Sequence, residues 1–149
     1  MKKIDYEKIK EARNISEGFI QALGIEITDL ADGYARGEME LTAMHGNPIG
    51  STHGGVLFSV ADTIGGAAAL TAGSFCTTIS GTINYLNAAM GCKKLIGEAR
   101  AVKVGRRVGV YQVQIFDETE KLICTTTMTY HFFREKMEFP FFVDEEPNA

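Results

Sequence analysis

The centre of this chain is almost free of charge. From Leu41 to Cys92, 52 residues carry one charged side chain, Asp62, when histidine is counted as neutral. In the whole sequence 23% of the residues are charged. A long run of apolar and small residues is typical of the inside of a folded protein. We therefore expect this segment to form the interior of the fold, and Asp62 to have a specific role there.

Within this centre, residues 54–73 read GGVLFSVADTIGGAAALTAG, which predicts a helix that is apolar on every side. Twenty residues would extend about 30 Å as a helix, which matches the core of a bilayer. However, five of the twenty are glycine and Asp62 lies near the middle. A central carboxylate costs roughly 2.5–3.5 kcal/mol on membrane-insertion scales. We therefore predict a helix buried inside a soluble fold, without membrane contact.

Patterns typical of β-strands lie on both sides of this helix. Residues 35–41 alternate between apolar and polar side chains, and a shorter alternation begins at Ile25. After the helix, four segments are rich in β-branched and aromatic residues: 75–86, 95–104, 108–116 and 122–133. The joins at 105–107 and 117–120 are short enough for hairpins. Four strands joined in series by short turns predict an antiparallel sheet.

The length of 149 residues fits one domain over residues 1–149. Apolar residues at helical spacing predict an amphipathic N-terminal helix over residues 1–22, interrupted or ended near Gly18 or Gly24. Residues 134–149 are expected to form an acidic C-terminal tail. The prediction is an α+β fold in which an antiparallel sheet curls around a long central helix.

Several function classes are disfavoured by composition. The net charge is −4 and the one basic run, residues 93–107, is short, which argues against nucleic acid as a partner. Three cysteines without metal-like spacing, and N-terminal lysines without an apolar run behind them, indicate reduced thiols in a cytoplasmic protein. No cofactor motif is present, and the spacing of His45, His53 and Asp62 does not match a local metal motif. We therefore expect neither a cofactor nor a metal.

The residues that could carry chemistry gather where the loop before the helix meets its first turn. Asn47, His53, Gly54 and Gly55 lie there, and a helix N-terminus has unpaired N–H groups that can stabilise an oxyanion. Asp62 is the only acid–base candidate on the helix, but it lies eight residues from Gly54, about 12 Å along the axis. Two antiparallel copies of the helix could bring these two residues together. We therefore predict a two-fold dimer with two shared sites.

The pattern Asn47-x5-His53-Gly54-Gly55, followed by Val60-Ala61-Asp62, resembles the hotdog-fold acyl-CoA thioesterases of the phenylacetate-pathway type. These PaaI-like enzymes fall within the 4-hydroxybenzoyl-CoA thioesterase-like superfamily. The resemblance extends from about residue 23 to residue 133. It implies a central helix wrapped by an antiparallel sheet, and dimers, often paired into tetramers, with each site between subunits.

The resemblance also implies roles for individual residues. The Gly54 N–H would polarise the thioester carbonyl, and Asp62 of the partner subunit would be the general base for water or the direct nucleophile. Asn47 and His53 would shape the loop, with Asn47 at the thioester or a water and His53 near the sulfur. Ser80 matches a position where family members use a hydroxyl to orient the water.

The basic run fits the phosphates of coenzyme A, which arginine and lysine recognise well. The resemblance places Gly105, Arg106 and Arg107 in a hairpin at the mouth of the pocket, with Gly55 as a further contact. A solvated turn is the alternative for the two arginines.

The expected activity is hydrolysis of an acyl-CoA thioester, with coenzyme A as part of the substrate and aryl and medium-chain acyl groups equally open. The alternatives are a hydratase or dehydratase acting on acyl thioesters, and a non-catalytic acyl-CoA-binding protein. His53 could instead hydrogen-bond its own loop, and Asp62 could be a satisfied buried acid. Thr77, Thr78 and Thr82 are alternatives to Ser80 as the source of the hydroxyl.

Overall fold

The helix predicted at the centre of the chain is the element around which the others are arranged. The computed structural model describes residues 2–15, 18–137 and 142–144. In chain order the elements are β1 (Lys2–Ile4), α1 (Tyr6–Ile15), α2 (Phe19–Leu23), β2 (Ile25–Ala31), β3 (Tyr34–Glu40), α3 (Gly54–Leu70), β4 (Ser74–Tyr85), β5 (Lys94–Val104), β6 (Val108–Asp117), β7 (Leu122–Lys136) and β8 (Phe142–Asp144). A short 3-10 helix, Ala43–His45, lies in the loop before α3.

Six strands form one antiparallel sheet in the order β2-β3-β5-β6-β7-β4. The two predicted hairpins, between β5 and β6 and between β6 and β7, are confirmed. The expectation that β4 also joins this series is wrong, because β4 pairs with β7 and β3 lies beside β5. The reason is the path of α3, which packs against all six strands and carries the chain from one part of the sheet to its far edge.

The two ends of the chain differ from the sequence prediction. The N-terminal helix predicted over residues 1–22, interrupted or ended near Gly18 or Gly24, is present as α1 and α2, with Gly18 as the N-cap of α2 and Gly24 at its end in the left-handed conformation (φ 81°). The additional element is β1, which precedes α1. Within the predicted tail, β7 continues to Lys136, and β8 pairs with β1 in a separate two-stranded sheet. This pairing joins opposite ends of the chain, so no local pattern could indicate it. Most of the acidic residues of the tail lie outside the described residues.

The prediction of a buried central helix is confirmed, because most of α3 is enclosed by the sheet. Ile64 and Ala61 on this helix have no exposed surface. Among the described residues, no helix combines the length and the apolarity that crossing a membrane requires.

The close fit of α3 to the sheet depends on glycines. Gly37 of β3 and Gly97 of β5 face each other in register, and Ile64 lies over both. A Cβ on Gly37 would lie 2.9 Å from the Glu26 carbonyl oxygen and 3.0 Å from Ile64, and a Cβ on Gly97 would overlap Ile64. The pair of glycines therefore makes the space that the helix occupies.

Substitution of Gly37 by alanine is expected to destabilise the protein by about 1–3 kcal/mol, because the backbone oxygen of Glu26 cannot move aside for the added methyl group. The measurement is the free energy of unfolding in urea. Gly46→Ala is the matched control, since a Cβ there would meet its nearest atom, the Ala43 carbonyl oxygen, at 3.4 Å. Equal stability of the two variants would contradict the close-packing argument.

Candidate active site

The first turn of α3 is fixed by His53, which is its N-cap. The backbone of His53 is extended (φ −60°, ψ 135°), and its Nδ1 accepts a hydrogen bond from the Gly55 N–H at 2.8 Å. A side chain that accepts from the second or third helical N–H satisfies one of the unpaired donors at a helix start. His53 is thus held by its own helix, and the Gly55 N–H is already used within the chain.

Gly54 differs from Gly55 in this respect. Its carbonyl accepts from the Tyr85 hydroxyl at 2.9 Å, but the described residues offer no hydrogen-bond acceptor to its N–H. This donor lies at the first position of a long helix, where the dipole favours negative charge. The Gly54 N–H is therefore available to an acceptor on a ligand.

Asn47 holds the loop before α3. Its amide nitrogen donates to Ser51 Oγ at 2.8 Å, and its Oδ1 accepts from the N–H groups of Ser51 at 3.0 Å and Ile49 at 3.2 Å. Together with His53 and Gly54 it lines a cavity of about 510 Å³. The contacts of Asn47 in this chain are those of a residue that shapes the loop.

His45, which lies in the same loop, is buried and has a structural role. Its Nδ1 accepts from the Thr42 N–H at 3.0 Å, so its Nε2 carries the hydrogen and donates to the Leu23 carbonyl at 3.1 Å. The His45 carbonyl accepts from the His53 N–H at 2.8 Å. His45 thereby connects the loop before α3 to the end of α2. No cluster of three or more potential metal-binding side chains is found in the described ranges.

Asp62 lies two turns further along α3 and is held by two hydroxyl groups. Its Oδ1 accepts from Thr78 Oγ1 at 2.7 Å and lies 3.2 Å from the Tyr130 hydroxyl, which also lies 2.9 Å from the Asp62 carbonyl oxygen. Burial, and then the charge of Asp62, raise the pKa of Tyr130, so its hydroxyl remains a donor at neutral pH. A carboxylate fixed in this way keeps one orientation.

The Asp62 carboxylate is at the wall of a cavity of about 570 Å³. Half of the other lining residues have aliphatic, aromatic or thioether side chains: Ile9, Ala12, Phe19, Ile20, Phe58, Leu70, Phe75 and Met137. Cavities of this size and character are typical of sites for small organic ligands.

The sequence favoured Ser80 as the source of the hydroxyl, with Thr78 among the alternatives, and it did not indicate Tyr130. Ser80 is exposed on β4 and pairs with Thr129, and a register shift separates it from Thr78. In the described part of the chain, no hydrogen bond joins Ser80 to Asp62. The alternation of buried residues along β7 could have indicated an inward-facing Tyr130, but nothing local distinguishes Thr78 from the hydroxyl residues beside it.

A second missed residue, Arg13, comes from α1. Its Nη2 donates to the Thr63 carbonyl at 2.9 Å, and it lines the same cavity as Asp62. Cys76 is a further neighbour; burial raises the pKa of its thiol to about 11, against the opposing charge of Arg13. The thiol is therefore protonated at neutral pH, which disfavours Cys76 as a nucleophile.

The predicted site residues do not converge within one chain. Gly54, His53 and Asn47 line one cavity, and Asp62 lines another. Arg106 and Arg107 are exposed in the turn between β5 and β6 and line neither of these cavities. This turn lies at the Asp62 end of the sheet, because Gly109, just beyond it, pairs with Tyr130. Gly105 closes the turn with a hydrogen bond from its N–H to the Val108 carbonyl at 2.9 Å.

Comparison with known proteins places this geometry in a family. The model of the thioesterase superfamily matches residues 49–124, which include the end of the loop before α3, α3 itself, β4, β5, β6 and the start of β7. The acyl-coenzyme A thioesterase PaaI of Escherichia coli K12 is 33% identical over 103 residues, covering 69% of this chain and 74% of that protein.

Solved structures agree with this assignment. The structure of the E. coli PaaI protein superposes with a TM-score of 0.83 at 27% identity, covering 88% of this chain and 95% of that one. A hypothetical thioesterase from Streptococcus pneumoniae TIGR4, solved with coenzyme A, has a TM-score of 0.71 at 27% identity, covering 76% and 91%. The chain belongs to the thioesterase superfamily, and it is a PaaI-like thioester hydrolase with the hotdog fold.

Proposed function

We propose that the protein hydrolyses an acyl-CoA thioester to coenzyme A and a carboxylic acid, at a site shared by two copies of the chain. The observation that carries this proposal is Asp62, a carboxylate held by two hydroxyls at the wall of a largely apolar cavity. The family relationship supports hydrolysis over the hydratase alternative.

In the proposed reaction Asp62 acts as a general base. Thr78 donates to its Oδ1, which also faces the Tyr130 hydroxyl at 3.2 Å, so Oδ2 is the oxygen that we assign to accept a proton from water. The water oxygen then forms a bond to the acyl carbon, and the Gly54 N–H stabilises the negative charge that develops on the carbonyl oxygen. The C–S bond breaks as the intermediate collapses, and the proton on Asp62 passes to the departing thiolate. Direct attack by Asp62 is the alternative chemistry.

The sharing of the site between two chains is supported by the free edge of the sheet. β4 pairs with β7 on one side, and its other side is the edge of the sheet along 12 residues. Ile79, near the middle of this edge, is 56% exposed. In native proteins, a long sheet edge with exposed apolar side chains is normally covered by another segment or paired with another chain. A second copy paired there about a two-fold axis would place its α3 antiparallel to the first, as the spacing of Gly54 and Asp62 requires.

The acyl group is proposed to enter the cavity beside Asp62. Phe19, Phe58 and Phe75 line this cavity, and aromatic side chains stack well on aryl groups. The volume of about 570 Å³ also admits a medium-length alkyl chain. The pairing of dimers into tetramers and the cytoplasmic location stay predictions.

Asp62→Asn is expected to lower kcat by about 10²–10⁴-fold, because the amide cannot accept the proton from water. The measurement is thiol release from aryl- and alkyl-CoA substrates, with Asp32→Asn in the exposed β2–β3 turn as the control. Undiminished release in Asp62→Asn would reject the general base. Wild-type protein that binds acyl-CoA without releasing thiol would favour the binding protein, and hydration of an enoyl-CoA would favour the hydratase.

A mixed dimer tests whether Gly54 and Asp62 act across the interface. Gly54→Pro removes the N–H at the first helical position, and the extended backbone of His53 is compatible with a following proline. A Cβ at position 54 would lie 2.9 Å from the Tyr85 hydroxyl, so Gly54→Ala, which keeps the N–H, is the control for this contact. A heterodimer of Gly54→Pro with Asp62→Asn, purified by two different tags, contains one intact site. It should recover about half of the wild-type activity, whereas each variant alone is inactive. If the heterodimer is inactive, the Gly54 and Asp62 of one site come from the same chain, and the shared site is rejected.

Arg106 and Arg107 are proposed to contact the coenzyme A phosphates. Arg107→Ala should therefore raise KM for a CoA ester more than for the corresponding pantetheine ester, which lacks the nucleotide phosphates. Arg100→Ala is the control, since it removes an exposed positive charge that lies within β5, before the turn that carries Arg106 and Arg107. Equal changes in KM for the two esters would indicate a solvated turn.

A further inference from the structure

One lining residue of the cavity beside Asp62 carries a charge opposite to that of the Asp62 carboxylate. Among the described residues that line it, Asp62 and Arg13 are the two that are charged at neutral pH. They come from different helices, 49 positions apart in the sequence. α1 lies outside the segment that matches the family model, which begins at residue 49.

The contacts of Arg13 lead directly to α3. Its Nη2 donates to the carbonyl of Thr63, the residue that follows Asp62, at 2.9 Å. Its Nε is buried. Gly66 faces the guanidinium, and a Cβ at that position would lie 3.5 Å from Nη2. This is an ordinary van der Waals distance, so the guanidinium packs directly against α3 at Gly66.

The electrostatic relation between the two residues follows from their surroundings. Burial lowers the pKa of Arg13, while Asp62 is among the nearby groups that oppose this change. Arginine keeps its proton because its ordinary pKa is above about 12. An opposite charge in an apolar cavity favours the charged form of a carboxyl group.

The other titratable groups that face this part of the cavity are neutral at pH 7. They are Cys76 from β4 and Tyr130 from β7, with Tyr111 from β6 behind them, 5.7 Å from Tyr130 between ring centres. Burial raises the pKa of each: Cys76 to about 11 and Tyr111 to about 12, with Tyr130 raised further. Within the described residues, Arg13 is therefore the cavity group that can offset the charge of Asp62.

We propose that Arg13 is a positioning residue, which stabilises the charge on Asp62 and holds α1 against α3 as a wall of the acyl cavity. This inference rests on the proposed function, because it assigns a purpose to the ionised form of Asp62. It gives the N-terminal helix a part in the site.

Two substitutions separate the charge of Arg13 from its hydrogen bond. Arg13→Gln removes the charge but keeps a donor for the Thr63 carbonyl, whereas Arg13→Lys keeps the charge. Arg13→Gln should move the acid limb of the kcat–pH profile upward by about one pH unit, because more of Asp62 is protonated at a given pH. Arg13→Lys should stay close to the wild type. Arg100→Gln is the control for loss of a positive charge elsewhere, and thermal melting verifies that each variant is folded.

A measurement that does not depend on activity distinguishes a failure of the role assigned to Arg13 from a failure of the proposed function. The Asp62 carboxyl signal, assigned by its loss in Asp62→Asn, is followed by ¹³C NMR as a function of pH in the wild type and both Arg13 variants. An upward shift of its titration midpoint in Arg13→Gln, absent in Arg13→Lys, supports the role of Arg13. An unchanged midpoint in Arg13→Gln overturns it. The activity of Asp62→Asn tests the proposed function separately.

Discussion

The enclosure of α3 by six strands is the packing interaction on which the rest of the structure depends. It requires small residues where helix and sheet meet, as at Gly37 and Gly97 beneath Ile64. Most of the helix is buried, and Asp62 lies half-buried on the face that stays partly exposed. Asp62, the one charged residue on α3, is supplied with hydrogen bonds by Thr78 and Tyr130. These partners compensate for the water that the carboxylate loses on burial.

The same helix separates the two groups to which we assign roles in hydrolysis. Its N-terminus presents the Gly54 N–H, and His53 occupies the neighbouring donor of Gly55. The rise of an α-helix places Asp62 about 12 Å away, and in the described chain the two residues line different cavities. Their spacing along one continuous helix keeps the two residues apart within one chain. The free edge of β4 offers a way for a second copy to complete the site.

The N-terminal helices form one side of the Asp62 cavity, although they precede the segment that the family model matches. Ile9 and Arg13 of α1, with Phe19 and Ile20 of α2, line its wall. Asp62 and its two hydroxyl partners are carried by α3 and the sheet, whereas part of the cavity wall comes from α1 and α2. In the proposed function, the size and polarity of the space for the acyl group therefore depend partly on these two helices.

The sequence by itself determined the features that depend on local spacing. The uncharged run predicted a buried α3, the short joins at 105–107 and 117–120 predicted the β5–β6–β7 hairpins, and the pattern from Asn47 to Asp62 indicated the thioesterase family. The tertiary structure alone decided that β4 pairs with β7, and that Thr78, Tyr130 and Arg13 surround Asp62 or its helix. Those contacts join residues 16, 68 and 50 positions apart. They depend on strand order, on a register shift in β4 and on the docking of α1, which are set by packing between distant segments and leave no local pattern.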